Sequence, residues 1–237
     1  MVLLFTGLSQ INAQTTSELA SANKAGKAVF LVAYNNPGVD ADKAFAIAND
    51  ARKNLTTTTA VIKMKTTDAA NSSLVTKFRL SGAPLPLILV LDKNGNPAGG
   101  YILKDATSQK LVDLIPSPKT TEIIDALAGG KSVLLVAYKE SMTSKKSIMD
   151  NCAIACNKMS NKSVVVKVDL GDKKETKLLQ GLKCDLNSKE PVTYTINTAG
   201  QVTGAFTGIT DVNSLIASAK KAPAGGCGTS CAPGACK

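Results

Sequence analysis

The sequence predicts an α/β protein made of two tandem copies of one domain, each with a central mixed sheet flanked by helices. The first observation is that GKAVFLVAY at residues 26–34 recurs 104 residues later as GKSVLLVAY at residues 130–138. The second is that PLILVLDKNG at residues 86–95 recurs 105 residues later as PVTYTINTAG at residues 191–200. Because the two matches keep their order and nearly their spacing, they indicate one duplicated domain rather than a short-period repeat.

Length and composition agree with two globular domains. A chain of 237 residues can hold two domains of about 100 residues, each able to bury a core without disulfides or metals. We predict domain 1 at residues 15–115 and domain 2 at residues 119–221, joined by the linker PSPKT at residues 116–120. The last segment, residues 222–237, is predicted to be a flexible tail rich in Cys, Gly and Pro.

The first helix and first strand of each copy follow from local signals. Helices are predicted at residues 16–25 and 120–128, because each opens with a threonine and carries a glutamate in its first turn. The continuous apolar runs at residues 29–34 and 133–138 are typical of buried central strands.

The remaining elements complete the order αβαβαββα in each copy. Apolar residues at helical spacing predict the second helices at residues 42–54 and 145–159. In copy 1 the later elements are a strand at 60–65, a helix at 72–80, strands at 86–91 and 97–103, and a helix at 106–114. In copy 2 they are a strand at 163–168, a helix at 175–182, strands at 191–197 and 201–206, and a helix at 211–220.

Charge and the missing residue types exclude several functions. The net charge of +10 comes almost entirely from lysine, since Arg52 and Arg79 are the only arginines. Nucleic-acid binding favours clustered arginine and stacking aromatics, so we predict a solvated basic surface and no nucleic-acid partner. The chain has no histidine, which excludes Ser-His-Asp and Cys-His catalysis and any zinc site that needs histidine.

The N-terminal segment, residues 1–14, has features of a secretory signal peptide. An apolar run at residues 2–5 and Leu8 leads to the small residue Ala13 before Gln14, although a positive n-region is missing. The alternative interpretation is an apolar terminus or a strand. On the signal-peptide interpretation, we predict export to the periplasm or the extracellular space. No other segment approaches the ~20 apolar residues of a membrane span.

The order of elements, with a proline opening the third strand and a DKNG turn nine residues on, resembles the thioredoxin family. In that family the proline follows a cis peptide bond beside the active site, and the resemblance places Pro86 and Pro191 at this position. The family's CxxC motif lies at the turn between the first central strand and the next helix. The matching stretches, residues 35–43 and 139–147, contain no cysteine. Without a thiolate there, conventional disulfide reduction is not expected, and no catalytic residue is assigned.

Three cysteines fall within domain 2. By the repeat, Cys152 replaces Ala48 on the apolar helix face, Cys156 replaces Arg52 and is expected nearer the rim, and Cys184 corresponds to about Leu80. One interpretation is that all three fill the core as small hydrophobic residues. The other is a disulfide from Cys156 or Cys152 to Cys184, which export would permit.

The other three cysteines, Cys227, Cys231 and Cys236, lie in the tail APAGGCGTSCAPGACK. Gly and Pro oppose a helix or ladder strand, and little apolar context exists for the thiols to pack into. Three interpretations remain open: a soft-metal site for an ion such as Cu(I), a thiol redox arm, or structural disulfides.

Two functional hypotheses follow. The first is a thiol-based role, in redox or soft-metal handling, through the tail cysteines with Cys156 and Cys184 as candidate partners. The second is a non-catalytic module that binds a polypeptide or a thiol protein, with cysteines that only crosslink the fold. Whether the chain is an enzyme, and its oligomeric state, are left open by the sequence.

Overall fold

The computed structural model describes residues 14–55 and 58–222. The chain divides into two compact units between Pro116 and Ser117, which we call domain 1 and domain 2. Residues 1–13 of the predicted signal segment and residues 223–237 of the predicted tail lie outside the described residues.

Domain 1 has the predicted element order. Its elements are α1 (Gln14–Lys24), β1 (Ala28–Tyr34), α2 (Val39–Lys53), β2 (Thr59–Lys65), α3 (Ser72–Lys77), β3 (Leu87–Leu91), β4 (Pro97–Ile102) and α4 (Ser108–Asp113). Domain 2 repeats this order as α5 (Pro118–Ala128), β5 (Ser132–Tyr138), α6 (Lys145–Lys158), β6 (Ser163–Asp169), α7 (Thr176–Gly181), β7 (Val192–Ile196), β8 (Val202–Thr207) and α8 (Val212–Ala219).

Both sheets have the same topology. The strand order is β2-β1-β3-β4 in domain 1 and β6-β5-β7-β8 in domain 2. In each sheet the first two strands of the chain are parallel, and the hairpin strands are antiparallel. A parallel βαβ unit followed by a ββα unit is the architecture that the thioredoxin resemblance implies. The predicted fold, two tandem thioredoxin-like domains, is confirmed.

The register shows how closely the two copies correspond. Leu31 pairs with Ile62 and Leu89 in domain 1, and Leu135 pairs with Val166 and Tyr194 in domain 2. The hairpin in each copy also carries a register shift near the end of its first strand, between Val90 and Leu91 and between Thr195 and Ile196. The duplication therefore extends to the irregularities of the sheet.

The central strands are buried on both faces. Val29, Leu31 and Ala33 point to a cluster with α1 and α3, whereas Phe30 and Val32 point to a cluster with α2 and α4. Domain 2 divides its core in the same way on either side of β5. This two-sided burial explains why both strands are continuous apolar runs.

The start of α5 differs from the prediction. The helix begins at Pro118 rather than Thr120, and Ser117 is its N-cap, with Oγ accepting a hydrogen bond from the Thr120 N–H at 3.2 Å. The buried Glu175 side chain then accepts hydrogen bonds from the Ser117 hydroxyl at 2.5 Å and the Lys119 N–H at 3.1 Å. Proline suits the first helical position because its missing N–H would have no partner there. Most of the PSPKT segment is therefore helix rather than linker.

The turn after the third strand is closed by one side chain in each copy. In domain 1, Asp92 Oδ1 accepts from the N–H groups of Asn94 at 2.8 Å and Asn96 at 2.9 Å. The other oxygen, Asp92 Oδ2, is buried and has no hydrogen-bond partner within the described residues. In domain 2, Asn197 makes the equivalent turn and also donates from Nδ2 to the Lys221 carbonyl at 3.1 Å.

Among the described residues, no helix is both long enough and apolar enough to cross a lipid bilayer.

Candidate functional site

Domain 1 has an open groove where the turn after β1 meets the loop before β3. Its volume is about 410 Å³, and it is lined by residues 34–41 together with Leu85 and Pro86. The groove contains no thiol, as the sequence predicted for this turn. We call it the proline groove.

Carboxylates occupy the helix start beside the proline groove. Helix α2 begins at Val39 after Gly38, and Asp40 and Asp42 lie in its first turn. Lys63 lies 3.3 Å from the Asp42 carboxylate. Negative side chains are favoured at this end of a helix because unpaired N–H groups give it a partial positive charge. In domain 1 that field therefore stabilises carboxylates and not a cysteine thiolate.

The proline loop presents an unpaired stretch of main chain to the groove. The Leu85–Pro86 peptide bond is cis, as expected for Pro86. The Pro86 carbonyl accepts a hydrogen bond from the Leu103 N–H at 3.0 Å, which ties the loop to the end of β4. Neither the N–H nor the carbonyl of the half-buried Leu85 forms a hydrogen bond within residues 14–55 and 58–222. Both groups remain available to an extended ligand.

The corresponding turn of domain 2 is closed. Met142 occupies the position of Gly38, is 7% exposed, and accepts a hydrogen bond on Sδ from the Lys139 N–H at 3.2 Å. The Ser144 hydroxyl donates to the Glu190 carboxylate in the proline loop, so the two segments that flank the groove in domain 1 are linked in domain 2. Lys145 binds Glu140, and this hydrogen bond lowers the pKa of the Glu140 carboxyl group.

Pro191 corrects one prediction. Leu85–Pro86 is the one cis peptide bond in the described part of the chain, so Pro191 does not follow a cis bond. The repeat offset grows from 104 to 105 in the preceding loop, which therefore holds one extra residue. That loop forms its own turn, with Asp185 Oδ1 accepting from the Asn187 N–H at 2.9 Å and the Ser188 hydroxyl donating to the Glu190 carbonyl at 2.6 Å. The inserted turn gives the chain a different path into β7.

Cys152 and Cys156 lie in the core between β5 and α6. The pKa of the Cys152 thiol is raised to about 11, mainly by burial and despite a hydrogen bond with Thr193 that lowers it. Burial also raises the pKa of the Cys156 thiol, beside Ser163. Cys156 is 8% exposed, so its expected position at the rim is wrong. The buried face of α6 is wider than that of α2, because it includes Cys156, whereas the corresponding Arg52 of α2 is exposed.

Cys184 lies on the other face of the same sheet. It is half-buried against the cluster that contains Tyr194, whose pKa is raised by burial and by a hydrogen bond with the Cys184 side chain. All three cysteines are free thiols. The alternative with a disulfide from Cys156 or Cys152 to Cys184 is therefore wrong, because the β5–β7 sheet separates the sulfur atoms.

The tail cysteines Cys227, Cys231 and Cys236 lie outside the described residues, so their metal, redox and structural interpretations stay predictions. Within the described ranges, no group of three or more Cys, Asp or Glu side chains could hold a metal ion. The cysteines of the folded part thus provide neither a nucleophile at the expected turn nor a ligand cluster.

Neither a protein-family model nor a curated protein matches the chain. Among solved structures, human ERp44 in its zinc-bound form is similar over 86% of this chain and 56% of its own, with 11% identity and a TM-score of 0.35. The first two thioredoxin domains of Saccharomyces cerevisiae Eps1p are similar over 92% of this chain and 100% of theirs, with 9% identity and a TM-score of 0.33. The chain spans about half the length of ERp44.

The sheet topology of each unit and the loop at Pro86 define the class of this protein. It is a tandem thioredoxin-fold protein in which neither strand-to-helix turn carries the CxxC motif. The sequence located both turns but missed the residues that distinguish them, Met142 and the Ser144–Glu190 contact. The replacement of Gly38 by the bulky Met142 in aligned copies was the available signal.

Proposed function

We propose that the protein binds an extended polypeptide in the proline groove of domain 1, without dithiol exchange there. The observation that carries the proposal is the unpaired main chain of Leu85 beside an open groove. An extended peptide that pairs with a free backbone edge gains affinity from main-chain hydrogen bonds, and adjacent pockets supply side-chain specificity.

The groove also offers an apolar contact. Val39 is 70% exposed at its edge, the largest exposed fraction among the exposed large hydrophobic side chains of the described residues. Burial of this side chain by a ligand would contribute about 1 kcal/mol from removal of apolar surface. The adjacent Asp40 favours a ligand that is not strongly acidic.

The test uses the alkylated insulin B chain, an unfolded polypeptide without free thiols, as the probe. Binding is measured by fluorescence anisotropy to the full chain and to V39S, which should weaken binding about fivefold through loss of apolar burial. V202S is the matched control, because Val202 is 53% exposed on β8 and lies outside the groove. Equal affinity of V39S and V202S, or no binding to the native protein, would contradict the proposal.

A second candidate function is a thiol role of the tail. It is favoured by the burial of Cys152 and Cys156, which leaves any reactive thiolate to Cys184 or to the three tail cysteines. The reduced tail would bind about one soft ion such as Cu(I), or exchange disulfides with a thiol protein.

Titration of the reduced full chain with Cu(I) tests this candidate. Substitution of Cys227 and Cys231 by serine should abolish stoichiometric uptake, whereas Cys152→Ala should leave it unchanged. Binding of the alkylated B chain should be the same in both variants, which separates the tail function from the groove function. Unchanged Cu(I) uptake in the tail variant would exclude the metal site.

We also propose that the chain is exported. The proposal is supported by the apolar run at residues 2–5 and by Ala13, a small residue suited to signal cleavage. N-terminal sequencing of protein from its native source should give Gln14 as the first residue. A mature chain that retains residues 1–13 would contradict export by this route.

A further inference from the structure

A second concave surface lies in domain 2, at the end of the sheet where β5 begins. Its volume is about 430 Å³, and four lysines line it. We call it the lysine cavity and define it by Lys158, Lys162, Lys220 and Lys221. None of its lining residues is Asp or Glu.

These four lysines are not neutralised by a carboxylate in the part of the chain that the structure describes. All four are exposed, and within residues 14–55 and 58–222 none forms an ion pair with a carboxylate. Like charges around a concave protein surface reinforce one another and raise the local concentration of anions. The cavity therefore gathers four positive charges that no carboxylate among the described residues pairs with.

The repeat provides an internal comparison. In domain 1 none of the four corresponding positions is charged: they hold Asn54 and Thr58 at the offset of 104, and Ile115 and Pro116 at the offset of 105. In addition, the neutral Asn197 of the cavity replaces Asp92. Although Lys93 of domain 1 corresponds to Thr198, the positive cluster as a whole belongs to the second copy. It is not a general consequence of this fold or of the lysine-rich composition.

Helix capping explains only part of the cluster. Lys158 is the last residue of α6 and Lys220 follows the last residue of α8, and positive side chains are favoured at such ends. Lys162 and Lys221 lie beyond both helices, so their convergence on the same cavity needs another reason. The hydrogen bond from Asn197 Nδ2 to the Lys221 carbonyl also fixes the backbone at this edge.

We propose that the lysine cavity binds a small polyvalent oxyanion that carries phosphate or sulfate groups. The ammonium groups act as strongly hydrated point charges, which bind phosphate without the planar geometry of arginine. The exposed hydroxyls of Ser160 and Thr198, also in the lining, provide neutral donors beside these charges. This site is independent of the proline groove, which lies in the other domain.

Calorimetric titration of the full chain at low ionic strength tests the proposal, with pyrophosphate, sulfate and acetate as probes. Pyrophosphate should bind more tightly than sulfate, and acetate should bind least, because affinity follows the charge of the anion. The double substitution K162Q/K220Q should weaken pyrophosphate binding about 100-fold, because each lysine removed loses a charge-assisted hydrogen bond worth about tenfold in affinity. K162R/K220R retains the charge and should keep most of the affinity.

K173Q/K174Q is the matched control, because it removes the same charge from two exposed lysines outside the cavity. Equal losses in this control and in K162Q/K220Q would show only general attraction and would overturn the proposal. A single-stranded oligonucleotide that binds more tightly than pyrophosphate, and loses affinity equally in K162Q/K220Q and K173Q/K174Q, would also overturn the proposal. It would indicate that a polyanion binds the basic surface as a whole. Chemical-shift changes confined to Gly130, Ser160 and Thr198 on pyrophosphate addition would support the assigned position.

Discussion

Alkylation of the native protein by iodoacetamide at about pH 8 should modify Cys152 very slowly. The pKa of this thiol is raised to about 11 by burial, whereas an ordinary cysteine has a pKa of about 8.5. The thiolate is the reacting form, and its fraction at that pH is then about 0.1% for Cys152 against about 25% for an ordinary thiol. Ionisation alone therefore predicts a rate about 250-fold lower.

The rate is measured on the full, reduced chain by quenching samples over time and quantifying each cysteine peptide by mass spectrometry. The same reaction in denaturant is the control, because unfolding should bring Cys152 to the rate of the other cysteines. Cys156, also buried with a raised pKa, should be protected in the native protein as well. Native Cys152 that reacts within about tenfold of its denatured rate would refute the buried-thiol assignment.

Three further predictions concern stability in urea. The raised pKa of Cys152 means that the folded state favours the neutral thiol. The contribution of this thiol to the free energy of unfolding should therefore be complete below about pH 8.5 and be lost as the pH rises toward 11. Equal pH profiles of stability for wild type and C152A would contradict this. Asn197→Asp should destabilise by about 1–3 kcal/mol because it places an oxygen against the Lys221 carbonyl, and an unchanged urea midpoint would contradict this. Glu175→Gln should cost about 1–2 kcal/mol by weakening the charged cap of α5, and an unchanged midpoint would contradict that role.

The sequence was sufficient for the architecture because the signals for its central elements are local and duplicated. The runs at residues 29–33 and 133–137 are apolar at every position, a pattern typical of strands whose two sheet faces are both covered. The offset change from 104 to 105 also located the one insertion between the copies. Helix starts were less accurate, since α5 depends on Ser117 and on Glu175, which lies far away in sequence.

The position of the candidate site was predictable from the sequence, but whether its groove is open or closed was not. The turns at residues 35–43 and 139–147 could be found by alignment, and their lack of cysteine was visible. Whether each groove is open depends on contacts between distant segments, such as Ser144 with Glu190. The burial of Cys156 was mispredicted because the corresponding residue of domain 1 is Arg52. That arginine indicates an exposed position in the first copy only.

The cap of α5 has a consequence for how the two copies can be handled separately. Ser117, Lys119 and Glu175 all belong to the second unit, so a polypeptide that starts at Ser117 retains every group of that cap. Division of the chain between Pro116 and Ser117 therefore removes no capping group from the start of α5. The second copy can accordingly be moved as a module, carrying its lysine-lined surface into fusions where the first copy is absent.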